Sequence, residues 1–479
     1  MIWLVIVILI LFYFLQTVLL FVLEYERPAK AGVWILISIC LPVIGIALYF
    51  LAGRPYKRMR KHVKTEVWEH IHQHLASQTT VITKAEDMQS EVFTSHTRLF
   101  NLLSPIPNSA ITGCNQTKYF TEGEPLFASL LHDIEKAQHH IHIQFYIFRD
   151  DIIGTMFQDL LIEKAKLGVK VSIICDGFGS KTLPKPFIQR MKNAGIEIHF
   201  FLPPGLAMKL RKLNYRNHRK IVVVDGTIGY TGGMNIGDEY RGQSQKMGFW
   251  RDTHMRISGD AVYFLQTTFL KDWEMVSGQT VDEELIPSLF PPHDCQVNEQ
   301  VQIVESGPDE TRHLIQEVCF SAITQANKRI YITTPYFIPD DALMTALKTA
   351  AYAGVDVRIL IPYEADYAIV LQATLSYVEE LLTAGVQFYR YKKGFIHSKV
   401  IVVDDLLATV GSANLDMRSF YSNFELTSVM YSKSAIDRLV QDFAGDLTHS
   451  MKVELSTFSQ RSKLGKSTEI LCRLLSPLL

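Results

Sequence analysis

Two long apolar runs open the chain. Between Ile2 and Leu23 no residue is charged, and from Ala31 to Ala52 only Ser38, Pro42 and Gly45 interrupt the apolar pattern. A helix rising 1.5 Å per residue covers roughly 30 Å of hydrocarbon in such a length. The pattern therefore predicts a transmembrane helical hairpin, with helices over about 2–23 and 31–52. A cleaved secretion signal fits poorly, because no basic residue precedes the first run and no small-x-small site precedes the second. Further along, apolar segments shorten to strand length and follow amphipathic stretches that end on glycine. Leu167-Gly-Val-Lys-Val-Ser-Ile-Ile174 and Ala194-Gly-Ile-Glu-Ile198 each read as a helix C-cap running into a buried strand. Helices alternating with such strands define an α/β class.

The second half of the chain repeats the first. His218-Arg-Lys-Ile-Val-Val-Val-Asp225 returns as His397-Ser-Lys-Val-Ile-Val-Val-Asp404, and Gly232-Gly-Met-Asn235 as Gly411-Ser-Ala-Asn414. The offset is 179 throughout: 218 to 397, 225 to 404, 235 to 414. Upstream, Ile141-His-Ile143 is echoed by Ile330-Tyr-Ile332, Val169–Ile174 by Val355–Leu360, and Gly195–Ile198 by Gly385–Phe388. A period this long implies two α/β lobes facing each other about a pseudo-twofold axis. The expected division is 1–62 for the membrane hairpin, 63–106 for a cytoplasmic linker, 107–290 for the first lobe and 291–479 for the second, which begins at Pro291-Pro292. The lobes differ in one place. The first carries an insertion, Phe201–Leu213, that reads either as a solvated loop or as an interfacial element mixing apolar side chains with cations.

Charge narrows the setting. The 48 Lys and Arg nearly balance 49 Asp and Glu, for a net charge of −1, so no global field favours a nucleic acid partner. A local cluster follows the second apolar run: Arg54, Lys57, Arg58, Arg60, Lys61 and Lys64. The positive-inside rule places it, and everything after it, in the cytoplasm. The same cluster could hold anionic head groups. Six scattered cysteines without a Cys-x-x-Cys pair suit a reducing compartment and argue against a disulfide scaffold or a thiolate zinc site. His70, His72 and His74, and likewise His139, His140 and His142, lack a completing carboxylate or cysteine pattern and read as solvated rather than metal-binding.

The repeated unit carries the candidate chemistry. On a strand, residues i and i+2 share a face, so His218 stands beside Lys220 and His397 beside Lys399. Two lobes related by a twofold axis would aim both pairs into one cleft. Phosphodiester transfer needs a nucleophile, an acid for the leaving alkoxide, and positive charge around the phosphoryl oxygens. A neutral histidine can supply the first and a protonated one the second. The lysines supply the charge, and Asn235 and Asn414 can add hydrogen bonds.

His-x-Lys-x4-Asp-x6-Gly-[Gly/Ser]-x-Asn, twice in one chain, resembles the HKD motif pair of the phospholipase D superfamily. The resemblance implies catalytic roles for His218, Lys220, His397 and Lys399, with Asp225 and Asp404 mainly stabilising the architecture. It also implies that Asp252, in Trp250-Arg-Asp252, and Glu425, in Asn423-Phe-Glu425, orient the histidines. By the same analogy His218 is favoured as nucleophile and His397 as acid, although the symmetry of the motifs leaves that choice open. Further stretches are similar to bacterial cardiolipin synthases: Glu26-Arg-Pro-Ala-Lys30, Leu41-Pro-Val-Ile-Gly45, Gly248–His254, Ser306-Gly-Pro308 and Leu474–Leu479. This implies a multi-pass protein of the bacterial cell membrane that converts two phosphatidylglycerols to cardiolipin and glycerol. Its partners would be phosphatidylglycerol and cardiolipin, plus anionic head groups at basic residues 54–64, with no nucleic acid, cofactor or metal. A phospholipase D or a phosphatidylserine synthase-type transferase is the alternative enzyme, and a lipid-binding scaffold the non-enzymatic one.

Overall fold

A single uninterrupted helix, α1 (Ile2–Leu23), carries the first apolar run. The computed structural model describes residues 1–56, 65–88, 92–106, 108–243 and 247–479. Among these, α1 is the one helix long and apolar enough to cross a bilayer. The expected second spanning helix over 31–52 is corrected. The run forms α2 (Pro28–Cys40), only 13 residues and about 20 Å long. It then reverses through Leu41-Pro42-Val43 and returns as α3 (Ile44–Leu48) and a π turn, Tyr49–Gly53. Pro42 cannot donate a helical amide bond, and Val43 has φ 65°. Gly45 allows the legs to touch, since a Cβ there would meet Ser38 Cα at 2.6 Å. The two feet are tied together: Lys30 donates to Glu24 at 3.0 Å and to the Gly53 carbonyl, and the Tyr49 hydroxyl donates to Glu24. Hydropathy counts apolar residues and is blind to a reversal among them.

Two sheets of matching topology follow. The first contains β1 (Asn115–Phe120), β2 (His140–Phe145), β3 (Lys170–Asp176), β4 (Glu197–Phe201), β5 (Ile221–Val224), β6 (Ile228–Gly232) and β7 (His254–Gly259), in the order β1-β7-β6-β5-β2-β3-β4. The second contains β8 (Val301–Ser306), β9 (Arg329–Thr333), β10 (Asp356–Pro362), β11 (Gln387–Tyr391), β12 (Val400–Val403), β13 (Leu407–Gly411), β14 (Asn423–Met430) and β15 (Ser450–Val453). Its path β8-β14-β13-β12-β9-β10-β11 reproduces the first strand for strand, extended by β15 beside β11 and by Ile111–Thr112 beside β8. In each sheet three strands run parallel (β2-β3-β4 and β9-β10-β11), and the motif strand closes them antiparallel. All four residues of β5 and of β12 are buried, as an unbroken Ile/Val run in a central strand requires.

The lobes share a core. Ile221, Val223, Met255 and Ile257 of the first pack with Val400, Val402, Leu426 and Met430 of the second, around the helix Ala261–Ser277. The segment expected as a linker is part of this body. In helix Thr65–Gln78, Val67, Ile71 and Leu75 enter the shared core, while Leu99, Phe100 and Leu103 enter the second lobe's. The insertion after β4 forms a short helix, Pro204–Lys209. It exposes Leu206 and Met208 but buries Ala207 with Phe201, Tyr215 and Phe424, beside Tyr56 at the hairpin's foot. The remaining basic cluster, Lys57 to Lys64, lies outside the described residues.

The cysteine expectation is also corrected in part. Cys114 and Cys295 are joined, with Cα atoms 5.2 Å apart, while Cys40, Cys175, Cys319 and Cys472 are unpaired. The pairing follows from register: Ile111–Thr112 runs antiparallel to Val301–Gln302, and Asn115 donates to the Glu299 carbonyl. A separation of 181 residues concealed the approach.

Candidate active site

Each lobe lends a strand to the other at the motif histidine. Arg216–Asn217, leading into His218, pairs in parallel with Asn423–Phe424, and Phe249–Arg251 pairs with Gly394–Ile396, leading into His397. One residue beyond each borrowed strand stands a carboxylate. The His218 Nδ1 donates to Glu425 at 3.0 Å, and the His397 Nδ1 donates to Asp252 at 2.7 Å. Both carboxylates hold equivalent places, two residues before the residue registered opposite the motif glycine: His254 on Gly232, and Thr427 on Gly411. A carboxylate on Nδ1–H leaves Nε2 with its lone pair facing the cleft.

The electrostatics follow from burial. Desolvation pushes the Glu425 carboxyl up, but His218, Lys220 and Ser412 outweigh it and hold it down at about 2. At Asp252, Lys399 and His397 likewise outweigh burial, so it too stays ionised. Burial lowers the pKa of His218, opposed by Glu425, and drives that of His397 down to about 3, with Lys399 adding to the fall. Lys220 donates to the His218 carbonyl and Lys399 to the His397 carbonyl. Burial brings Lys220 down to about 7 and Lys399 to about 8. The charge on Lys399 adds to the fall at Lys220. An anion seated in the cleft would meet two lysines and two imidazoles.

The remaining motif residues are dispersed. Asp225 and Asp404 stand at the far ends of their strands, with φ of 50° and 49°. Asp225 accepts the backbone amides of Gln138, His139 and His140, and Asp404 those of Asn327, Lys328 and Arg329. They fasten the start of β2 and β9 and do not face the cleft. Asn235 spends both ends of its amide on Ile147 N and the Tyr240 hydroxyl, while Asn414 donates to Asp416. His140 and His142 are buried rather than solvated, with His142 stacked on Phe269 and bonded to Gln266. His70 pairs with Glu283, and His74 contacts the Phe290 carbonyl. No three His, Cys, Asp or Glu among the described residues are placed to share a metal ion.

Some supporting residues carried no sequence signal. Arg219, between His218 and Lys220, points to the opposite face, where it pairs with Asp272 at 2.8 Å and donates to the Glu425 carbonyl across the lobe junction. Its repeat counterpart, Ser398, bonds Thr253 at 2.6 Å. Tyr146 sets its ring 5.0 Å from His218, and Trp250 lies 5.2 Å from His397. Only period-2 alternation could have hinted that the middle motif residue faces away from the cleft.

Paired histidine–lysine strands, exchanged carboxylates and duplicated sheets define a phospholipase D-like transferase. Comparisons agree: the family model described as "Cardiolipin synthase, PLD-like domain" matches residues 130–273 and 319–447. The cardiolipin synthase of Halalkalibacterium halodurans is 41% identical over 465 residues, 95% of this chain and 90% of that protein. Cardiolipin synthase 1 of Bacillus cereus is 42% identical over 463 residues, again 95% and 90% of the two chains. The crystal structure of phosphatidylserine synthase from Haemophilus influenzae superposes with a TM-score of 0.63 at 12% identity, covering 80% of this chain and all of that one, and shares its fold. This chain belongs to the bacterial cardiolipin synthase family of the HKD superfamily.

Proposed function

We propose that the protein is a membrane-associated phosphatidyltransferase that makes cardiolipin from two phosphatidylglycerols. The observation that carries this reading is the pair of histidines, His397 buried and His218 part-buried, each oriented by a carboxylate of the opposite lobe, over two lysines. In the proposed reaction the Nε2 of one histidine attacks phosphorus. The bond from phosphorus to the head-group glycerol breaks, and the second histidine protonates the departing oxygen. The terminal hydroxyl of the second phosphatidylglycerol then attacks the phosphohistidine. Its proton passes to the second histidine as the P–N bond breaks. One phosphodiester of a primary alcohol replaces another, so no nucleotide is consumed. Family likeness supports His218 as nucleophile and His397 as acid; the negative charge of a bound phosphodiester favours the protonated His397, against the burial and the Lys399 charge that lower it. Lys220 and Lys399 neutralise the phosphoryl oxygens.

The proposed topology has α1 crossing the membrane once. The α2–α3 hairpin enters and leaves by the cytoplasmic face, where the lobes and the basic residues 54–64 meet anionic head groups. Both feet of the hairpin touch the catalytic body, which supports this arrangement: Arg27 reaches the Tyr421 carbonyl, and the Tyr215 hydroxyl donates to the Arg54 carbonyl at 2.6 Å.

The test is incubation of solubilised protein with labelled phosphatidylglycerol and EDTA, without nucleotide. Cardiolipin with equimolar glycerol is expected. Phosphatidic acid alone would make the protein a phospholipase D, and binding without turnover would make it a lipid-holding scaffold.

A further inference from the structure

Joining two phosphatidylglycerols poses a problem that the motif residues leave open. Only one phosphate reacts, but the acceptor lipid brings a second, which needs its own counter-charge. The halves of the cleft differ at one place in a way that meets this need. Counting by the 179-residue offset, Arg216 corresponds to Phe395, and Arg418 to Glu239. Both arginines bond to the 213–215 segment just before His218, so they stand together where the other half has an apolar and an acidic side chain.

Among the described residues neither is paired with a carboxylate. Arg216 is buried, stacks 4.4 Å over the Phe178 ring and, among those residues, donates to the Tyr215 and Leu213 carbonyls. Arg418 donates to Asn214 Oδ1 and O, each at 2.8 Å. Neither forms an ion pair among the described residues, although Asp176 acts on Arg216 through the local field. The charges of both arginines are felt at Tyr146, whose ring touches His218. Arg216 precedes His218 by two residues, about 7 Å of extended chain. That span suits a phosphate separated by three carbons from the hydroxyl it presents to the reacting centre. The segments bearing the arginines are also those the membrane hairpin grips, at Leu213, Tyr215 and Tyr421.

We infer that Arg216 and Arg418 bind the non-reacting phosphodiester of the acceptor phospholipid and so select phosphatidylglycerol over water and small alcohols. The inference rests on the proposed synthase reading. An arginine fork matches phosphate geometry and binds it through charge-assisted hydrogen bonds.

The experiment supplies the full chain, reconstituted in phosphatidylglycerol vesicles, with ethanol as a competing acceptor and measures the ratio of cardiolipin to phosphatidylethanol. Arg418→Gln should lower that ratio about tenfold or more, the worth of a lost charge-assisted bond. Arg418→Lys, which keeps the charge, should restore part of it, and Arg216→Lys should shift it in the same direction as Arg418→Gln. An unchanged ratio would overturn the subsite, whether both products persist or fall together, since a merely structural role moves them in parallel. Failure of the parent reading shows separately: the unsubstituted protein would then form no cardiolipin.

Discussion

His218 in the first lobe and Glu425 in the second are separated by 207 residues and by 3.0 Å. Neither lobe completes its own histidine. The reciprocal contact, His397 to Asp252 at 2.7 Å, makes the dependence mutual. Glu425→Gln and Asp252→Asn should each lower cardiolipin turnover by on the order of 10³, by releasing the tautomer that presents Nε2. Steady-state assays should show the loss in kcat and little change in KM.

The two histidines should fail differently. His218→Asn and His397→Asn each abolish net synthesis. Under the assignment proposed here, only His397→Asn still accumulates radiolabelled phosphatidyl-protein, because the nucleophile survives. Protein denatured in SDS at neutral pH, which spares the acid-labile P–N bond and the acyl esters, after reaction with phosphatidylglycerol labelled in its acyl chains would show which variant retains label. Label on His218→Asn instead would reverse the roles.

The lysines make the protein's stability sensitive to pH. Burial lowers them to about 7 and about 8, whereas an unfolded lysine titrates near 10.4. Between those values the unfolded chain holds more protons, so stability should rise as pH goes from roughly 7 toward 10. An anion in the cleft favours the protonated lysines. Inorganic phosphate should therefore raise the melting temperature more at pH 7 than at pH 9.5, and thermal melts in detergent at both values would test the difference.

Asp225 and Asp404 should behave as structural residues. Each accepts three backbone amides, so Asp225→Ala should cost about 1 kcal/mol or more of stability, since three amides lose their acceptor, two of them exposed to water. Asn tolerates the positive φ better than Ala, so Asp225→Asn should be milder. Denaturant titration would separate them, with KM near that of the parent wherever the variant is folded.

The hairpin can be tested by labelling. A cysteine at residue 1 should react with an impermeant maleimide from outside the cell. One at Tyr56 should react only after the membrane is opened. Cys40, at the turn of the hairpin, should resist from either face.

What could be read along the chain was local. Histidine, lysine and aspartate recur at fixed short spacings on one strand, and a second copy makes them visible without any contact map. The alternating glycine-capped helices and apolar strands gave the lobes for the same reason. Glu425 and Asp252 came only through family likeness, because their partners lie across the lobe junction. Arg216 and Arg418 are 202 residues apart in a chain with many arginines, and only folding brings both to the 213–215 segment. The reversal at Pro42 escaped because an apolar run has the same composition whether it crosses or turns back.

In the proposed topology that reversal also bears on the membrane itself. A helix pair about 20 Å deep that enters and leaves by one face displaces acyl chains mainly from the leaflet it enters. The anchor then works as a one-sided wedge, crowding the monolayer from which both substrates are drawn. The lipid surface beneath the cleft is thus shaped by the enzyme as well as sampled by it.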